Sequence, residues 1–173
     1  MDLVLSSNVN MIGPDEGITL WAVGVLVTLK ALSNETGGAY SLSEVIVPPG
    51  LGPPTHMHTR EEETFYMING ELIWNVGSKS FHATNGCFVH LPRNVPHSFI
   101  NVSKKPAKMV VTYAPGGFEQ FYLKVGELVS NPSAPGEPSP TTPDLMKKAM
   151  TIAEEYGLVF VGPIANDEHS DEL

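Results

Sequence analysis

The segment "PPTHMHTREEETFYMING", residues 53–70, gathers metal-ligating side chains at spacings that could serve a single ion. Side chains two apart on a strand point to one face, so His56 and His58 project together. Turned inward, they would chelate one cation through ring nitrogens. On the apolar run that follows, Glu63 shares a face with Phe65 and Met67. Neighbouring strands lie about 4.8 Å apart, so a carboxylate there reaches the same ion. Glu61 and Glu62 are its rivals for that role. A further ligand has to come from another strand, and "HLPRNVPHSFIN" offers His90 and His97. Three neutral imidazoles and one carboxylate around a divalent ion leave a net charge of about +1. An octahedral arrangement also keeps positions open for water, oxygen or substrate.

Strands must hold these residues in place. "AYSLSEVIV" (39–47) alternates, with Tyr40, Leu42, Glu44 and Ile46 on one face and Ser41, Ser43, Val45 and Val47 on the other. It stops at "PPG", which cannot continue a ladder. "ETFYMI" and "ELIWNV" flank Asn69-Gly70, which predicts a hairpin. "NVGSKS" predicts a second turn, and "KSFHA", "GCFVHLP", "HSFINV" and "AKMVVTYA" supply further strands. Many short strands at close spacing indicate an all-β sandwich or barrel over residues 1–115. The pattern then changes. Phe118, Phe121, Tyr122 and Val125 predict an amphipathic helix within 116–129, and the proline-rich stretch 130–143 is a connector. Residues 144–173 hold a second helix and an acidic tail. Thr142 is its expected N-cap, Pro143 its first helical residue and Gly157 its C-terminal stop, with Leu145, Ala149, Ile152 and Ala153 on the apolar face.

Composition bounds the partners. With 173 residues, 42% apolar, the chain can bury one sizeable core. A net charge of −9 argues against nucleic acid and against anionic membranes. Part of that charge is local, in "NDEHSDEL", where Asp167, Glu168, Asp171 and Glu172 cluster. Cys87 is alone, so no internal disulfide is expected, and nothing beside it would make a reactive thiolate. The first residues lack a basic stretch and "LWAVGVLVTL" is too short to span a bilayer, so a soluble, cytoplasmic protein is expected. Without an import signal, the closing "SDEL" is read as chance similarity to a retention signal.

Over residues 40–115 the chain resembles the cupins. Their first motif, G-x5-H-x-H-x(3,4)-E-x6-G, reads Gly50, His56, His58, Glu63 and Gly70. Their second, G-x5-P-x-G-x2-H-x3-N, reads Gly86, Pro92, Asn94, His97 and Asn101. Asn94 stands where the family has glycine, and Asn tolerates a left-handed backbone best among the other residues. The resemblance implies a double-stranded β-helix (jelly-roll barrel) with His56, His58, Glu63 and His97 as ligands of one divalent transition ion. Iron, manganese, nickel, cobalt, zinc and copper all suit that set. Glu62 is then expected to be solvated, and His82, His90 and His169 to be outside the site. Phe65, Met67 and Phe99 are core residues that become pocket walls if the interior is open.

The family carries many chemistries on one barrel. "THMHTREEETFYMINGEL" with "YAPGGFEQFY" is similar to small cupins of the quercetin dioxygenase type. This implies a metal-dependent dioxygenase acting on a small molecule, with Glu63 as general base. A non-catalytic metal or small-molecule binder and an oxygen-independent isomerase or lyase are the alternatives. A homodimer is expected by analogy.

Overall fold

The computed structural model describes residues 10–134, 136 and 142–161. The acidic tail, His169 and part of the proline-rich connector (135 and 137–141) therefore lie outside the described residues. Among the described residues twelve strands and two helices follow one another: β1 Ile18–Ala22, β2 Val25–Ala31, β3 Ser41–Val47, β4 His56–His58, β5 Glu62–Asn69, β6 Leu72–Val76, β7 Lys79–Ala83, β8 Phe88–Leu91, β9 His97–Ile100, β10 Ala107–Ala114, α1 Glu119–Val125, β11 Glu127–Leu128, α2 Pro143–Glu155 and β12 Leu158–Phe160.

The strands form two antiparallel sheets, ordered β11-β1-β2-β3-β10-β5-β8 and β12-β4-β9-β6-β7. Alternation sets what each sheet turns inward. β3 buries Ser41, Ser43, Val45 and Val47, and β10 buries Ala107, Met109, Val111 and Tyr113. β5 buries Glu63, Phe65 and Met67. From the facing sheet come His56 and His58, then Leu72 and Trp74, then His97 and Phe99. The interior is thus layered, with polar side chains towards one end and Phe65, Trp74 and Phe99 packed edge-on or tilted behind them at centroid distances of 4.6 to 6.2 Å.

Two local expectations give way. β5 and β6 do not pair, because β5 lies between β10 and β8 while β6 lies between β9 and β7. Asn69-Gly70 therefore carries the chain from one sheet to the other. Gly70 has φ +87°, and a Cβ there would sit 2.7 Å from the Ala107 Cα. The Asn-Gly pair set a tight turn, but the partners of each strand were decided by distant edges. Gly77 and Ser78 do close a two-residue hairpin, since Val76 faces Lys79.

The helix expected within 116–129 is shorter. It ends at Gly126, and Glu127–Leu128 become β11 beside β1. Leu128 is exposed, so this stretch gains more from edge pairing than from a buried helical face. Glu119 anchors the start of α1: its carboxylate accepts from the Ser33 N–H at 3.0 Å, the Ser33 hydroxyl and the Gly117 N–H at 2.8 Å.

α2 starts as expected, with the Thr142 hydroxyl accepting from the Leu145 N–H and Pro143 in the first turn. Met146, Ala149 and Ala153 form its buried stripe, and Leu145 and Ile152 are half-buried. Gly157, at φ +74°, then reverses the chain into β12, which adds to the edge of β4. That strand was not legible beforehand. Among the described residues no helix is long and apolar enough to cross a membrane.

Candidate metal centre

β4 brings two histidines inward because it is only three residues long and both of its ends are inward-facing. Prolines precede it and the Thr59 turn follows, tied back through its N–H to the Gly157 carbonyl at 2.8 Å. His56 stands directly opposite His97 on β9, with ring centroids 4.3 Å apart. The Nδ1–H of His56 donates to the Pro54 carbonyl at 2.8 Å, and that of His97 to the Val95 carbonyl at 2.9 Å. Each ring thus keeps the Nε2 lone pair for the interior.

Glu63 enters from the other sheet. Its Oε2 lies 3.0 Å from His97 Nε2 and its Oε1 lies 3.4 Å from His58 Nε2. Ligand atoms of His56, Glu63 and His97 all lie within 4.8 Å of one another, and all three residues are buried. His58 stands outside that tight group, its ring set edge-on against Phe118 at 4.4 Å. Although His97 Nε2 and Glu63 Oε2 approach closely, neither has a partner in hydrogen-bonding geometry. Buried polar atoms are rarely left so, and atoms aimed together without a proton aligned between them suit a shared cation. The residues present fit a metal ion.

Electrostatics favour the same state. Burial, then the neighbouring His97, lowers His56 from 6.5 to about 3, so its ring stays neutral at ordinary pH. Burial works to raise the Glu63 carboxyl, but the imidazoles of His58 and His97 outweigh it and hold it at about 2. A neutral His56 ring beside an ionised Glu63 carboxylate is what a cation requires of its ligands.

The remaining sequence candidates sort by face. Glu62 and His90 are exposed and pair with each other at 3.3 Å. His82 is exposed and pairs with Glu71. Asn94 takes the left-handed conformation, φ +63°, in the place where the resemblance has glycine. Its N–H donates to the His58 carbonyl at 2.8 Å, so the turn braces β4. Asn101 is fully buried and ties the Val47 and Lys105 carbonyls together. Cys87 is half-buried against the core.

A cavity of about 60 Å³ adjoins the cluster. Phe65 and Phe99 line it, while Met67 is buried without lining it. Its other walls come from residues the sequence did not single out as walls: Phe118, Phe121 and Tyr122 of the α1 region, Leu158 and Phe160 of β12. The Tyr122 hydroxyl bonds that of Tyr113 at 2.7 Å, and Tyr113 stands directly opposite Glu63. Burial first, then the other phenol, raises Tyr113 well above its ordinary value. Among the described residues only His56, Glu63 and Tyr122 bring polar side chains to the lining, and no Lys or Arg does.

The family model of the cupin domain matches residues 43–113. An uncharacterised protein of Methanocaldococcus jannaschii is 30% identical over 84 residues, covering 48% of this chain and 67% of that one. The chain belongs to the cupin superfamily. Quercetin 2,3-dioxygenase of Bacillus subtilis is 28% identical to this cupin over 123 residues, 71% of the chain. The cupin spans only 36% of that enzyme's length. Among solved structures, KdgF from Halomonas sp. superposes with a TM-score of 0.50 at 13% identity, over 56% of this cupin and 85% of KdgF. An oxalate decarboxylase variant of Bacillus subtilis reaches 0.50 at 20% identity, over 57% of this cupin and 28% of that chain. These likenesses speak to the fold.

Proposed function

We propose that this cupin is a metal-dependent dioxygenase of the quercetin dioxygenase kind, with His56, His58, Glu63 and His97 holding one divalent transition ion. The observation that carries this is the convergence of His56, Glu63 and His97 beside a cavity whose lining is otherwise almost wholly apolar. When bound, the ion supplies Lewis acidity towards a substrate oxygen and a redox partner for dioxygen. The protein's own groups do the rest. Glu63, within reach of two imidazoles, accepts the proton of a substrate hydroxyl. Phe65, Phe99 and Phe118 exclude water and pack on an unsaturated substrate.

The lining also weighs against the oxygen-independent alternative. An isomerase or lyase working on a sugar phosphate or keto acid would have the ion alone to bind its anion, because among the described residues no Lys or Arg lines this cavity. Size adds a constraint. At about 60 Å³ the cavity is below half of the roughly 150 Å³ that admits benzene, so a ring-sized substrate must displace part of the aromatic wall. A homodimer belongs to the same reading, and sedimentation of the purified protein measures it directly.

The test is element-resolved metal analysis of the purified protein and its His97→Ala variant, followed by oxygen-electrode assays with quercetin and smaller enediols. The expected result is about one transition ion per chain, lost in the variant, with oxygen uptake only in the loaded wild type. Metal without oxygen uptake for any enediol would leave a binding protein. No metal, even after added ions, would sink the proposal.

A further inference from the structure

The three consecutive glutamates have three different environments. Glu62 is exposed and paired with His90, and Glu63 sits in the cluster. Glu61 does neither. It is only 5% exposed, and its Oε2 has no hydrogen-bond partner. Its basic neighbour in sequence, Arg60, is turned away to the Glu155 carbonyl. Among the described residues the one basic group within ion-pair distance of Glu61 is His58, whose Nδ1 lies 3.4 Å from Oε2. That Nδ1 is also buried without a hydrogen-bond partner. An unpaired buried carboxylate is costly, so this one basic neighbour among the described residues matters.

The other two histidines show what is missing. His56 and His97 each give their Nδ1–H to the carbonyl two residues back, Pro54 and Val95. For His58 the residue two back is His56 itself, within β4. No carbonyl holds its outer nitrogen. Glu61 occupies that place.

We propose that Glu61 is a positioning residue for the metal centre: its carboxylate accepts the Nδ1–H of His58 and so turns the Nε2 lone pair of His58 to the ion. This rests on the metal reading above. A small rotation of the His58 ring about its contact with Phe118 closes the 3.4 Å gap. A carboxylate behind a ligating imidazole fixes its tautomer and orientation and strengthens it as a donor. The centre then has two unlike kinds of histidine, two held by backbone and one by an ionisable side chain.

The test is Co(II) titration of metal-free protein, in the wild type and in Glu61→Gln, Glu61→Leu and Glu62→Gln. Histidine side-chain NMR of the Zn(II)-loaded forms accompanies it. Glu61→Leu should weaken Co(II) binding by roughly 10- to 100-fold, the usual cost of losing such a partner. Glu61→Gln keeps an acceptor oxygen and should lose less, and Glu62→Gln should match the wild type. The His58 Nδ1–H resonance should be protected in the wild type and lost in Glu61→Leu. Metal-free thermal midpoints should hold or rise in both Glu61 variants, which a merely structural role would not allow. If Leu fails to fold, the Gln variant decides. Co(II) affinities within twofold of wild type in the Glu61 variants overturn the proposal. Failure of the wild type itself to bind Co(II) overturns the metal reading and this inference with it.

Discussion

The barrel motifs and the C-terminal arm meet at the same cavity but give it unlike surfaces. β4, β5 and β9 contribute His56, Glu63 and His97, whose polar atoms converge from two sheets. The α1 region and β12 contribute Phe118, Phe121, Leu158 and Phe160, with the Tyr122 hydroxyl as the one polar group. The first surface binds by geometry and the second by exclusion of water. The arm is also built into the barrel rather than attached to it. Phe118 packs against His58, Phe160 faces the His56 ring at 6.3 Å, and β12 completes the sheet beside the histidine strand. What separates the two regions is chemistry, not stability.

The sharpest way to break this comparison is to truncate the arm from inside. Phe121 is 2% exposed and lies between Phe118 and Tyr156. Phe121→Ala should destabilise the protein by about 4 kcal/mol, as large core truncations do, measured by urea denaturation. Metal stoichiometry should stay at the wild-type value. A loss below about 1 kcal/mol would show the arm to be loosely attached.

A milder change probes the junction. Gly157 sits at φ +74°, where an added Cβ would lie 2.7 Å from Thr59 Oγ1 and 2.8 Å from Arg60 Cγ. Gly157→Ala should cost about 2 kcal/mol through backbone strain and crowding, read from the same denaturation curves. Because Thr59 follows His58 directly, the variant should also weaken metal binding. Unchanged affinity would mean that β12 covers the site without bracing it.

The polar surface should reveal itself in acid. His56 is held at about 3 against 6.5, so the unfolded chain binds more protons between those values and stability falls as pH drops through that window. Glu63, held at about 2 against 4.5, adds a further loss as pH falls from 4.5 towards 2. Each titrating group contributes at most about 1.4 kcal/mol per pH unit. Metal-free protein should therefore lose stability steadily below pH 6.5, and replacing His56 by Gln should flatten the upper part of the decline. A flat profile from pH 6.5 to 4.5 would contradict the burial of a neutral His56.

Much of the barrel follows from patterns of period two. The alternation in β3 and β5 separates the two faces of each strand, the structure decides which face is buried, and the Gly77-Ser78 hairpin and the Thr142 cap follow from local chemistry. The motif resemblance names His56, His58, Glu63 and His97; the structure brings ligand atoms of His56, Glu63 and His97 within 4.8 Å of one another and leaves His58 outside that group. Spacing along one strand makes Glu61 only a rival to Glu63, because it cannot show which outer nitrogen lacks a partner. β12 has three residues, too few for a periodic signal, and its partner is a hundred residues away in sequence.

The sequence by itself determined which residues share a strand face, where turns are possible and which ligand types stand at which intervals. These depend on backbone geometry over a few residues. Tertiary structure alone decided that Asn69-Gly70 crosses between sheets, that β12 closes beside His56–His58 and that Glu61 is buried against His58. Those outcomes depend on which edges and faces remain open after distant strands have paired, and no local interval encodes that.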